Sequence, residues 1–305
     1  MRISTQMLPL ILLLGGEICF GATFSITRLA MDEGIPFFAY TFWSSFGAAI
    51  LLFPVILVRR EFPKLSKPHL LFYLASGIFG LAFPYTMLAI VAPNIPPAVL
   101  SLVITLAPIL TYILAIGLRL DRLKYIRVVG IAAGVGGVLC ILLPETSLPD
   151  PSAWIWMVIA LTVPFSFAIM AILAALIRPS NAGSYDSAFA LLIVATLIMT
   201  PIMAATGQLW IFSGPMSIGD WALIIYMVVN AGFYVVLYEV VRLAGPVFFS
   251  SGNFIATLAG VFWAILVFGE IPSYWIWVAL VLLSAGLFLV NRSNVAPSKT
   301  EPEKS

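Results

Sequence analysis

Apolar residues run through this chain in long blocks, broken at intervals by short clusters of charged residues, Pro and Gly. Reading the blocks between those breaks gives ten segments: 7–29, 36–58, 69–91, 97–118, 126–144, 153–177, 185–206, 218–242, 247–269 and 272–291. Each approaches the roughly 20 apolar residues that a helix needs to cross a hydrocarbon core. The pattern predicts an all-α membrane protein with ten transmembrane helices. The connections are short and leave no room for a catalytic domain outside the bilayer. The first block follows Arg2, as a signal peptide would, but it continues through Phe20 to Leu29 and is expected to be retained as a span.

The blocks also repeat. Shifted by 149 residues (85 to 234), Tyr85, Pro97, Ser101, Ala107, Ala115, Tyr125 and Gly137 fall on Tyr234, Pro246, Ser250, Ala256, Ala264, Tyr274 and Gly286. Ten helices at that offset make two units of five. A unit with an odd number of spans enters the membrane from opposite sides in its two copies, so the halves are inverted. The expected organisation is one five-helix repeat over 1–149, an inverted one over 150–292, and a disordered cytoplasmic tail over 293–305. Two near-equivalent halves supply two packings of similar energy, which alternating access requires.

Composition agrees. Of 305 residues, 62% are hydrophobic and 9% charged, a balance that would make the surface of a soluble domain one apolar patch. The distribution of charge gives an orientation. With the N-terminus inside, the inward loops hold Arg59, Arg60, Lys64, Lys67, Arg119, Arg122, Lys124, Arg127, Arg178 and Arg242. Arg2, Arg292, Lys299 and Lys304 fall on the same side, and Arg28 is the exception. The outward loops hold Asp32, Glu33, Glu145, Asp150, Asp220 and Glu270. This is a positive-inside pattern, and Trp154, Trp156, Trp210, Trp221, Trp275 and Trp277 fall at outer helix ends as an interfacial belt would.

Polar residues inside apolar runs are expected to face protein or a wet cavity. The fourth block carries Ser101, Thr105, Pro108 and Tyr112; the ninth carries Ser250, Asn253 and Thr257. The eighth carries Tyr226, Asn230, Tyr234 and Tyr238, and the third Tyr85 and Thr86. These stripes line a shared centre or serve as glue between helices. Pro84, Pro108, Pro164 and Pro201 are candidate kinks, either bending points of a gate or plain packing irregularities.

Glu17 is the sharpest signal. It lies near the middle of the first block, where a charge costs about 2.5–3.5 kcal/mol on insertion scales. Two uses follow: coupling transport to proton flow, or pairing with an amine-bearing substrate. A permanently neutral Glu bonded to a backbone carbonyl is the structural alternative. Arg28, four residues before Asp32, is expected to snorkel or pair locally, an external gate being the alternative, and Glu239 is expected to pair with Arg242. Asp121 and Glu270 occupy matching repeat positions and read as architectural. Cys19 and Cys140 read as small apolar core residues and the lone His69 as a loop residue, so no metal site or cofactor is expected. No Gly-rich nucleotide motif is present to make the chain a pump by itself.

Phe20-Gly21-Ala22-Thr23-Phe24 followed by Arg28 resembles the first helix of the drug/metabolite transporter superfamily, EamA branch. Ala107-Pro108 through Leu118-Arg119-Leu120-Asp121, with Gly130 and Gly137, is similar to that family's fourth and fifth helices. Ala256 through Phe268-Gly269-Glu270, with Gly286, resembles the second copy. Phe20 stands where Trp is usual, Trp43 where many members carry Arg, and Thr257 where a second Pro is expected. A first-helix Glu is the coupling residue of the related small multidrug resistance proteins. The resemblance implies a ten-helix inner-membrane carrier, with a central cavity lined by helices one, three, four, six, eight and nine.

The leading expectation is a secondary active transporter, not an enzyme, that exports a small polar or amphipathic metabolite, an amino acid or amine-bearing compound being favoured. Protons are the candidate driver. Glu17, Phe24, Trp43, Tyr85, Asn230, Tyr234, Tyr238 and Asn253 are the candidate substrate-binding residues, with Glu17 also the proton-coupling one. The partners expected are the lipid bilayer, the small-molecule substrate and protons, with no nucleic acid, in a monomer or homodimer. A bacterial inner membrane with both termini cytoplasmic is the expected location. The alternatives are a nucleotide-sugar or organic-phosphate exchanger, which would want more embedded cations than Arg28, and, further off, a channel or an intramembrane enzyme.

Overall fold

The computed structural model describes residues 7–142, 154–212, 214–245, 248–249 and 252–292. Arg2, Glu145, Asp150, Pro246, Ser250, Lys299, Lys304 and the tail from Ser293 lie outside them. The described residues are helical with no strand. Seven helices are long and apolar enough to cross a membrane: α1 (Leu8–Asp32), α2 (Phe37–Arg59), α3 (Lys67–Val91), α4 (Pro97–Gly117), α6 (Trp154–Ile177), α7 (Ser184–Ala205) and α8 (Ile218–Ala244). Three shorter apolar helices complete the described set: α5 (Tyr125–Leu142), α9 (Asn253–Phe268) and α10 (Tyr274–Arg292). This is a multi-pass membrane protein. Large apolar side chains such as Ile50, Leu57, Val58, Leu197, Val228 and Phe262 point outward, where lipid replaces the water that would reject them.

Helices in lipid associate through close packing, because apolar burial gains nothing there. The chain supplies glycines where backbones meet. A Cβ at Gly130 would lie 2.8 Å from the Gly286 carbonyl, and one at Gly286 would lie 2.6 Å from the Gly130 carbonyl, so α5 and α10 meet backbone to backbone. The other principal neighbours are α1 with α8 and α9, α6 with α3 and α4, α2 with α7 and α8, α3 with α7, and α4 with α9.

Three of the four prolines named above coincide with broken helices. In α3 a π turn spans Ile78–Ala82 just before Pro84. In α4 the helix is interrupted at Thr105 and Leu106 before Pro108, and in α6 at Leu161 before Pro164. Pro201 stays inside α7, and Pro54 inside α2.

Two expectations are corrected. His69 is not in a loop: Pro68 sits in the first turn of α3, where its missing N–H costs nothing. The imidazole is buried, its Nδ1 2.7 Å from Ser66 Oγ. Cys19 is not a core residue but exposed on α1, while Cys140 is half-buried.

Candidate functional site

The break in α3 is held from the other half of the chain. Pro84 has no N–H to offer the carbonyl four residues back, that of Gly80. Tyr234 of α8 donates its hydroxyl to that carbonyl at 2.6 Å, and Ser166 of α6 donates to the neighbouring Phe79 carbonyl at 2.9 Å. The break in α4 is bridged from α9: Thr105 and Thr257 hydroxyls lie 2.8 Å apart, and Ser101 reaches the Thr257 carbonyl at 3.4 Å. The facing stripes of α4 and α9 thus bind each other. Tyr112 instead anchors a loop, donating to the Arg122 carbonyl at 3.0 Å and accepting from the Lys124 N–H at 3.1 Å.

Glu17 sits where α1, α8 and α9 converge. Its neighbours on α1 are shaped for contact: a Cβ at Gly16 would meet Val236 at 2.7 Å, and one at Gly21 would meet the Ala256 carbonyl and Gly260 N at 2.7 Å. Glu17 is 2% exposed. Its Cγ and Oε1 would lie 2.7 Å from a Cβ at Gly252, so the residue before α9 has no room for a side chain. Among the described residues no donor bonds its carboxyl, although Tyr85 lies within electrostatic reach.

Aromatic rings run from this junction along α1 toward α2 and α3. Phe20, one turn along α1, stacks on Phe233 with centroids 4.5 Å apart, and Phe24 packs edge-on against Phe20 at 5.7 Å. Tyr85 meets Tyr226 edge-on at 5.9 Å and Phe167 at 6.2 Å. Tyr226 in turn stacks on Tyr40 at 4.9 Å, and Tyr40 shares a 2.9 Å hydrogen bond with Thr27. The Tyr226 hydroxyl is buried beside those of Tyr40 and Tyr85, with no well-formed hydrogen bond among the described residues.

The candidate residues do not all gather here. Glu17, Phe24 and Tyr85 belong to this region, and Tyr234 flanks it with its hydroxyl committed to α3. Trp43 packs against Phe46 and Phe212 and donates to the Trp210 carbonyl at 3.0 Å, capping α2 with the α7–α8 connection. Asn230 turns to α2, its Nδ2 3.5 Å from the Ser44 carbonyl. Tyr238 meets Phe72 on one side and lies under the Arg178 guanidinium, 5.4 Å from the ring centroid. Asn253 is half-buried at the start of α9, and its carbonyl accepts from Thr257 at 2.7 Å. A four-residue step overshoots the 3.6-residue turn by about 40°, so the α8 stripe winds from α2 toward α3 and cannot line one face. Sequence reasoning passed over Tyr40, Thr27 and the buried Thr41, Ser44 and Ser45 of α2, although the close spacing of four polar residues from 40 to 45 is itself a signal.

The helix ends fall into two groups. At one, Arg28 pairs with Asp32 at 3.3 Å and reaches the Ile95 carbonyl, Gln208 and Trp210 meet the first turns of α2, and the Trp210 indole donates to Asp220. At the other, Lys64 bonds the Asn181 carbonyl, Arg59 covers the Tyr185 ring, Arg242 pairs with Glu239, and Arg127 pairs with Asp121. Asp121 and Glu270, matched in the repeat, are tuned oppositely. Slight burial of Asp121 is outweighed by the Arg122 N–H and by Arg127, which hold it below its ordinary value. Burial pushes Glu270 up, opposed by the Ala98 N–H and Arg28.

One crystal structure superposes with a TM-score of 0.64 over 93% of this chain and 98% of that one, at 14% identity, which speaks to the fold alone. No curated protein matches the chain. Residues 7–143 match the model of the EamA-like transporter family. By that match this stretch of the chain is similar to the EamA-like transporters, a family of the drug/metabolite transporter superfamily.

Proposed function

We propose that this protein is a secondary active carrier that exports a small amine-bearing metabolite or amino acid from a bacterial cell, using protons taken up and released by Glu17. The observation that carries the proposal is the junction of α1, α8 and α9. There a carboxyl stands 2% exposed without a hydrogen-bond donor among the described residues. An uncompensated acidic group in a bilayer is expensive to keep. A substrate ammonium or a proton, arriving in turn, offsets that cost, and competition between them couples the two flows. Phe24 and Tyr85 flank the ligand, and Tyr234 keeps α3 bent beside it. Trp43, Asn230, Tyr238 and Asn253 act at the margins, where their observed partners hold them.

The architecture proposed is two inverted repeats of five spans, 1–149 and 150–292, with a cytoplasmic tail beyond. Helix packing supports it. Exchanging α1 with α6, α2 with α7, α3 with α8, α4 with α9 and α5 with α10 turns the contact of α1 with α8 into that of α6 with α3. The same exchange turns α1 with α9 into α6 with α4, and leaves α2 with α7 and α5 with α10 unchanged. Such a pseudo-twofold gives two packings of similar energy. The basic helix ends face the cytoplasm, so both termini are inside. The protein works as a monomer or homodimer without a cofactor and performs no covalent chemistry.

The test is proton movement in proteoliposomes driven by a gradient of candidate metabolites, first identified by comparing efflux from cells with and without the protein. Glu17→Gln abolishes substrate-driven proton movement. Unchanged coupling in that variant removes Glu17 from the mechanism.

A further inference from the structure

Resting on the carrier reading above, we infer that protons pass between Glu17 and the cytoplasm by a route of their own, along the seam where α3 packs on α7, through His69, Tyr73 and Ser76. The inference comes from where polar atoms are buried without good partners. Among the described residues few buried side-chain atoms lack a well-formed hydrogen bond. Four that do, His69 Nε2, Tyr73 Oη, Ser76 Oγ and Ser184 Oγ, gather at the basic ends of α3 and α7, two helices in contact. A buried polar group that nothing answers is costly, and ordered water is what commonly answers it.

His69, Tyr73 and Ser76 stand at i, i+4 and i+7, on one face of α3. His69 lies directly beneath the surface. Ser66, Lys67 and Pro68 are exposed, while the imidazole is buried with Nδ1 2.7 Å from Ser66 Oγ. Its ring meets that of Tyr73 at 6.0 Å. Tyr238 of α8 packs on Phe72 and reaches toward Ser76. One turn back along α8, Tyr234 holds the Gly80 carbonyl and lies beside Tyr85, which is within electrostatic reach of Glu17. From His69 to Gly80 the helix climbs about 16 Å, about half of a hydrocarbon core. The polar face of α3 thus runs from the cytoplasmic surface to the depth of Glu17.

Charge on the seam favours this use. Asp186, in the first turn of α7, is buried, with one oxygen accepting from the Ser187 N–H at 2.7 Å. It lies within electrostatic reach of both Tyr73 and Tyr238, and draws a proton toward the cytoplasmic end. The other charged groups around the entrance are engaged: Glu239 of α8 beside Ser184 and Arg242, Arg178 over the Tyr238 ring, and Lys64 on the Asn181 carbonyl. Each hydroxyl or water takes a proton on its oxygen and passes its own to the next. At His69 one ring nitrogen takes a proton as the other gives one up. The number of protons on the chain is the same before and after. Glu17 can then discharge while Arg59 on the Tyr185 ring and Lys64 on Asn181 still join the two halves at this end.

The experiment uses the full-length protein in lipid nanodiscs. A light flash releases protons, and protonation of Glu17 is followed through the infrared carbonyl band that Glu17→Gln lacks. Tyr73→Phe keeps the ring and removes the hydroxyl. It slows the band on the order of 100-fold, the lower end of what a placed proton carrier contributes. Ser76→Ala slows it in the same direction. Ser25→Ala deletes a buried hydroxyl on α1 that also lacks a well-formed bond, and it leaves the rate as it was. Melting profiles check that each variant is folded. A wild-type rate in Tyr73→Phe, or in Ser76→Ala should the first not fold, overturns the inference and leaves the carrier reading standing. Equal slowing by Ser25→Ala overturns it likewise. If Glu17→Gln removes no band, Glu17 exchanges no proton, and the proton-coupled carrier reading falls together with the route.

Discussion

Two polar regions inside the bundle are treated differently. Where α2 meets α3 and α7, the hydroxyls are spent. Thr86 donates to Thr41 at 3.1 Å, Thr196 to Ser45 at 3.1 Å, and Thr41 and Ser44 return to carbonyls of their own helix. Where α1 meets α8 and α9, Glu17 has no donor among the described residues. A Ser or Thr can always close on the carbonyl one turn back, so it costs a membrane helix little. A carboxylate has no such partner, since a helix offers it only acceptors. The satisfied hydroxyls hold helices together, and the carboxyl without a donor among the described residues is the one that the proposal puts to use.

Three changes test that contrast. Gly252→Val has the largest expected effect, because its Cβ would enter the space held by Glu17 Cγ and Oε1 and by Leu13. Transport is expected to fall to background, with overpacking costing about 1–3 kcal/mol. Normal uptake by a folded Gly252→Val protein would erase the distinction between the two regions. Tyr234→Phe comes next. It strands the Gly80 carbonyl beside the π turn and is expected to cost about 1–3 kcal/mol, read from unfolding in detergent mixtures. An unchanged midpoint would mean that the bent helix needs no help from α8. The smallest effect belongs to the spent region. Thr196→Val is expected to cost about 0.6 kcal/mol, the average for hydroxyl bonds between membrane helices, with transport at the wild-type level. A large loss of transport there would move the functional centre to α2.

Much of the architecture was legible in the order of residues, because lipid imposes a simple rule: long apolar runs must be helices. The breaks in α3, α4 and α6 were foreshadowed by Pro84, Pro108 and Pro164, for the same reason of lost hydrogen bonds. Burial of Glu17 followed from its place mid-run. The α8 stripe was harder. Tyr226, Asn230, Tyr234 and Tyr238 look aligned when counted by fours, yet drift around the helix and meet three different surroundings. Tyr40 escaped notice because it lies near the start of α2, where an interfacial Tyr is ordinary. His69 was misplaced because Lys67 and Pro68 read as a break, although Ser-Lys-Pro is equally a helix start.

The π turn at Ile78–Ala82 has a wider consequence. A turn of that kind stores one surplus residue, and letting it out would rotate the segment from Phe83 to Val91 by about 100° against the segment before it. Tyr85 and Thr86 would then exchange the neighbours they face. The hydrogen bonds from Tyr234 and Ser166 hold that turn as it stands, so a screw motion of less than one turn, without any large swing of the bundle, would suffice to re-aim Tyr85 relative to Glu17.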